Sequence, residues 1–126
     1  MLNNKDALAT IPVKTVTAAR HFYGDVLGLT IEEQDEEGVF GLKSGATSIL
    51  VYESEFAGTN KATAATWIVG TELDTIVDTL KSRGATFEHY DDLPGTIRKG
   101  DIHEGGDVRV AWLKDPDGNI LSLVNG

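Results

Sequence analysis

Cysteine is absent from the 126 residues. That excludes disulfide scaffolds, thiolate metal sites and cysteine nucleophiles, and it accords with a reducing cytoplasm. Basic residues are also scarce: 11 Lys and Arg stand against 20 Asp and Glu, a formal charge of −9 at pH 7 with the three His neutral. Such a chain repels phosphate backbones and gains no counterion release, so no nucleic-acid partner is expected. The acidity serves solubility, and it also suits a cationic ligand. No apolar run approaches the roughly 18 residues of a membrane span, and Met1-Leu2-Asn3-Asn4-Lys5-Asp6 has no apolar signal-peptide core. A cytoplasmic protein without membrane contact is expected. A chain of this length forms one unit, or two small halves with a shared core, and buries roughly two thirds of its unfolded surface without a structural metal.

What is present is one pattern written twice. Apolar residues at Val16, Ala19, Phe22, Tyr23, Val26 and Leu27 form the stripe of an amphipathic helix, with Thr15 as N-cap and Gly28 as stop. The same spacing returns from Thr71 to Gly84, with Leu73, Ile76, Val77 and Leu80 as the stripe, acids in the first turn and Lys81 and Arg83 in the last. Each helix follows a strand-like segment, Ala7 to Val13 and Thr63 to Val69. Each is followed by three more: Leu29 to Gln34, Val39 to Lys43 and Thr47 to Glu53, then Thr86 to Tyr90, Val108 to Lys114 and Ile120 to Val124. The order is βαβββ, twice, in modules of about 7–54 and 63–125 within a single domain. Asp115-Pro116-Asp117-Gly118-Asn119 reads as a tight turn. Leu93 to Asp107, rich in Gly, reads as one long irregular loop.

The duplication, with His21-Phe22-Tyr23-Gly24-Asp25-Val26-Leu27-Gly28-Leu29 closing the first helix and Asp115 to Asn119 before the last strand, resembles the vicinal oxygen chelate superfamily. This superfamily includes glyoxalase I, bleomycin and fosfomycin resistance proteins and extradiol dioxygenases. The resemblance implies an α+β fold of two βαβββ modules whose curled mixed sheets carry helices on the convex side and enclose a site on the concave side. Homodimers, often domain-swapped, are common in the family. Its enzymes hold a divalent metal on four His, Gln or Glu side chains from the first and last strands of each module. Counting from the motifs, those columns fall at Leu8, Ile49, Ala65 and Ser122, and none is a donor. Slipping the register changes nothing, because the flanking segments contain no His, Asp, Glu or Gln. No metal and no cofactor is expected.

If Leu8, Ile49, Ala65 and Ser122 face the concavity, alternation adds Thr10, Val51, Trp67, Val69, Ile120 and Val124, and turns Ile11, Val13, Leu50, Ile68, Leu121 and Leu123 to the helices. Pairing Lys114 with Ile120 sets Trp112 opposite Ser122, so both tryptophans would line one apolar pocket suited to a flat or aromatic ligand. The alternative is that Trp67 and Trp112 are core residues. A one-residue register error turns either toward the helices. Of the three histidines, His21 lies off the helix stripe and His89 on a strand. His103 lies in the Gly-rich loop, where Asp101 and Glu104 would orient it for acid/base work; the alternative is a plain loop histidine. Arg98, Lys99 and Arg109 are candidates for holding a carboxylate or phosphate. The expectation is therefore a metal-free small-molecule binding protein using Trp67, Trp112, Leu8, Ile49, Val51, Ala65, Ser122 and His103, as a homodimer. The alternative is a glyoxalase-like lyase, isomerase or dioxygenase-related enzyme with a non-standard site, such as His103 with Glu53.

Overall fold

In the computed structural model, which describes residues 1–126, the first module runs β1 (Ala9–Val13), α1 (Val16–Arg20), β2 (Thr30–Glu33), β3 (Val39–Ser44) and β4 (Thr47–Glu53). Its sheet has the order β1-β4-β3-β2, with β1 and β4 parallel and the other neighbours antiparallel. The second module runs β5 (Thr63–Ile68), α2 (Leu73–Ser82), β6 (Phe87–Glu88), β7 (Ile97–Lys99), β8 (Ile102–Gly105), β9 (Val108–Lys114) and β10 (Ile120–Val124). Its sheet has six strands, in the order β5-β10-β9-β8-β7 with β6 also beside β9, and its parallel pair β5 and β10 repeats β1 and β4 of the first. The fold is α+β with two mixed sheets and two helices, as the duplication implies.

Local chemistry accounts for most boundaries. Thr15 takes the N-cap position, its hydroxyl accepting from the Ala18 N–H. The α-helix lasts only five residues; over His21–Val26 the chain continues in a wider π turn, the Leu27 N–H reaching the Phe22 carbonyl at 2.9 Å. Gly28, at φ +77°, then ends it. The wide turn departs from the continuous α-helix that the periodicity predicts, yet Ala19, Phe22, Tyr23 and Val26 are buried as the stripe requires. Helix α2 buries Leu73, Val77 and Leu80. Each contributes about 1.5–3 kcal/mol of transfer free energy.

The stretch from Leu93 to Asp107 is not a loop throughout. It contains the β7–β8 hairpin, with Arg98 paired to His103. The reason lies in the edge of β9: two-residue β6 pairs only with Trp112 and Leu113, and β8 pairs with Val110, Arg109 and Val108. The hairpin thus completes an edge that β6 is too short to cover.

One apolar cluster joins both helices and both sheets, including Ile11, Tyr23, Phe40, Leu42 and Val51 of the first module and Leu73, Leu113 and Leu121 of the second. A polar latch, buried at Tyr23 and Asp115, reinforces it. The Tyr23 hydroxyl donates to Asp115 Oδ2 at 2.7 Å, Asn119 Nδ2 donates to the Pro12 carbonyl at 2.7 Å, and the Lys14 N–H donates to Asp117 Oδ2 at 2.8 Å. Asp115 Oδ1 also accepts the N–H groups of Asp117 and Asn119, both at 2.9 Å, so its buried charge is fully solvated by protein donors. The turn read from Asp115 to Asn119 is a strand connection and a clasp between modules.

Candidate functional site

Pairing fixes which side chains face the helices. In β1 and β4, Ile11 pairs with Val51 and Ala9 with Ile49, and in β3, Phe40 pairs with Val51 and Leu42 with Ile49. All six stand on one face, and Phe40 there receives the Arg20 guanidinium of α1 at 4.9 Å from its ring centre. In the second module Ala65 pairs with Leu121 and Trp67 with Leu123, and both leucines belong to the core cluster under α2. Ile49, Val51, Ala65 and Trp67 are therefore on the helix side, not in the concavity where the sequence reading put them. The reason is register. Thr66, not Ala65, pairs with Ser122, across an irregularity between Ile120 and Leu121. Paired residues share a face, so Val51 must follow Ile11.

The two tryptophans consequently lie on opposite faces. Trp112 pairs with Ser122, as expected, and shares the helix-free face with Thr66, Val110, Val124 and His103. Its half-buried ring meets His103 edge to face at 4.9 Å and Tyr90 at 5.3 Å. Tyr90 was not anticipated, although its alternation with Glu88, which pairs with Trp112, is the signal that would have found it. Thr66 Oγ1 and Ser122 Oγ share a hydrogen bond of 2.6 Å beside the indole. Leu8 has the parity of Thr10 on this face but precedes β1 and is 56% exposed.

His103 is a strand residue, not a loop residue, and is 1% exposed. Nε2 accepts the Tyr90 N–H at 2.9 Å, which leaves the proton of the neutral ring on Nδ1, and Nδ1 is enclosed without a hydrogen-bond partner. Burial lowers the imidazole pKa below its ordinary value, and the Val110 backbone opposes that shift. Asp101 and Glu104 do not orient it. Asp101 binds Lys81 at 2.7 Å and His89 at 2.8 Å, contacts that hold its carboxyl below the usual range, and Glu104 lies 3.3 Å from Lys99. The ring's place in the site is to carry Tyr90 and brace Trp112. His21 is an exposed residue beside Asp25.

Ile49, Ala65 and Trp67 do come together. They line a shallow hollow of about 240 Å³ at the module junction with Ala9, Ser44 and Thr47. Trp67 Nε1 donates to Ser44 Oγ at 2.8 Å, which fixes the indole. The basic side chains expected to hold an anion are engaged internally: Arg98 binds Asp91, Lys99 lies against Glu104, and Arg109 makes two 2.9 Å bonds to Asp74.

A divalent metal of the family type needs hard donors converging from β1, β4, β5 and β10. The helix-free face offers Thr10, Leu50, Tyr52, Thr66 and Ser122, with the last two hydroxyls satisfied by each other. No three His, Asp or Glu side chains converge anywhere in the chain, and Glu53 points to the Val16 N–H rather than to His103. The donor set does not fit such an ion.

The fold is found in solved proteins. The fosfomycin resistance protein FosX from Listeria monocytogenes superposes with a TM-score of 0.73 at 13% identity, covering 98% of this chain and 93% of that one. A glyoxalase/bleomycin resistance protein/dioxygenase from Alicyclobacillus acidocaldarius gives 0.70 at 19% identity, over 96% and 90% of the two chains. A putative glyoxalase family protein from Bacillus anthracis gives 0.65 at 21% identity, over 98% of each. No curated protein matches the chain significantly. Residues 7–123 match the family model directly, and the chain belongs to the Glyoxalase/Bleomycin resistance protein/Dioxygenase superfamily.

Proposed function

We propose that this chain is a metal-free small-molecule binding protein of the glyoxalase/bleomycin-resistance type, holding an apolar or aromatic ligand on the helix-free face. The observation that carries the reading is Trp112: a half-buried indole, braced by His103 and Tyr90, where the family's metal columns hold no donors. A stacked ring gains about 0.5–1.5 kcal/mol there beyond area burial, and a cation a further 0.5–2 kcal/mol or so. The net charge of −9 favours a cationic ligand over an anionic one and disfavours nucleic acid. Ser122, Thr66 and Leu8 are the other contacts we assign, with His103 in support. The single domain of two modules, about 7–54 and 63–125, works as a cytoplasmic homodimer in this reading. Ile68, 77% exposed beside Val124 on the same face, is apolar surface that a second subunit would cover.

The test uses Trp67→Phe, in which Trp112 is the sole tryptophan, titrated with the planar cation proflavine and neutral acridine. Saturable quenching that survives EDTA is expected, and calorimetric titration of the same ligands should show binding lost in Trp112→Ala. Calorimetric binding unchanged by Trp112→Ala, or binding that requires added divalent metal, would overturn the proposal, and the second outcome would put the enzyme reading first.

A further inference from the structure

The geometry points to a second ligand site, on the helix side, that takes a small amphipathic carboxylate. A cavity of about 280 Å³ opens between α2 and the segment that leaves the first helix. Leu80, Leu113 and Leu123 form its buried floor, and Trp67, Ile76 and Leu29 its half-buried walls. The Trp67 N–H is already satisfied by Ser44, so the ring offers the cavity only apolar surface. Arg83 stands at the mouth.

Arg83 differs from every other arginine in the chain. Arg20 pairs with Glu33, Arg98 with Asp91 and Arg109 with Asp74, whereas Arg83 has no carboxylate within ion-pair distance. Its one hydrogen bond, from Nη1 to the Val26 carbonyl at 3.3 Å, caps the first helix and packs the guanidinium against Gly28. That uses one of five N–H groups. Lys81, two residues earlier, is bound to Asp101. In a chain with nine excess negative charges, the one guanidinium without an acidic partner sits over an apolar cavity. An aliphatic or aromatic tail fills such a cavity, and a carboxylate matches the free edge of the guanidinium. The neutral cavity alone would accept an alcohol of the same length, so the head group supplies selectivity.

The probes are octanoate and 1-octanol, titrated by calorimetry against the full chain and three variants. Saturable octanoate binding is expected, weakened about ten-fold in Arg83→Met with octanol unchanged, the worth of one charge-assisted hydrogen bond. Ile76→Trp fills the cavity and abolishes both. Trp112→Ala alters neither, which separates this site from the one on the opposite face. Should Arg83→Met fold poorly, raising salt from 50 to 500 mM in the unmodified chain must weaken octanoate and spare octanol. The inference is overturned by no saturable octanoate binding, by loss in Trp112→Ala with retention in Ile76→Trp, or by Ile76→Trp splitting a dimer in sedimentation, which would make a second copy the occupant.

Discussion

Replacing Tyr23 with Phe removes one oxygen from the middle of the molecule. That oxygen donates at 2.7 Å to Asp115, across 92 positions of sequence, in a site where Tyr23 is fully buried and Asp115 is 5% exposed. Burial, and next the Asp115 carboxylate, push the phenol pKa far up, so the hydroxyl stays a donor throughout the accessible pH range. Phe keeps the ring, including its edge-on contact with Phe22 at 5.1 Å, so the loss is confined to one charge-assisted hydrogen bond. Such a bond contributes about 1.5–3 kcal/mol. Asp115 retains three donors, from Asp117 N, Asn119 N and Asn119 Nδ2, which keeps the cost in that range rather than above it. For a domain of this size each kcal/mol lowers Tm by about 3–6 °C. Urea unfolding followed by tryptophan fluorescence should show a lower midpoint with an unchanged m value. Asp115→Ala should cost more, about 3–5 kcal/mol, because four donors lose their acceptor at once. The double variant should cost less than the sum of the two. A Tyr23→Phe loss below about 0.5 kcal/mol would refute the latch as a stabilising link between modules.

Gly58, at φ +73°, places its α-carbon where an added Cβ would strike the Asp117 carbonyl, so Gly58→Ala should lose about 2–4 kcal/mol in the same urea experiment. His103 makes stability fall on the acid side. Its folded pKa lies below the ordinary 6.5, so the unfolded chain binds the extra proton and Tm should drop as pH falls below about 6.5 toward the folded value. His103→Gln, which can still accept the Tyr90 N–H, should flatten that slope between pH 7 and 5; a slope equal to that of the unmodified chain would assign the effect elsewhere. Leu80→Ala, on the buried face of the last turn of α2, should lose about 2–5 kcal/mol by calorimetry.

The periodic parts of the fold were legible in the sequence. The two helix stripes, the Gly28 and Gly84 stops, the Asp115 to Asn119 turn and the opposition of Trp112 and Ser122 all follow from spacing that local chemistry enforces. What sequence could not supply was the phase between distant strands. Counting back from Gly84 places Ala65, and alternation then Trp67, but parallel pairing with β10 sets their phase, and the irregularity at Ile120 and Leu121 moves it by one. Alternation within its own strand places Val51, whereas its parallel partner Ile11 decides its face. The β7–β8 hairpin was hidden because Gly95, Gly100, Gly105 and Gly106 read as loop, whereas Gly100, at φ +64°, makes the hairpin turn itself. Burial of His103 followed from that hidden strand. The role of Asp115 as a clasp is a tertiary fact that no local pattern encodes.

Native mass spectrometry of the untagged protein, before and after a chelator wash, tests the central claim most directly, because one spectrum reports subunit number, metal and any organic adduct. The account predicts a dimer at bare polypeptide mass, or with an organic adduct that Trp112→Ala releases, and no divalent metal in either spectrum. One divalent ion per chain that survives the wash would contradict it.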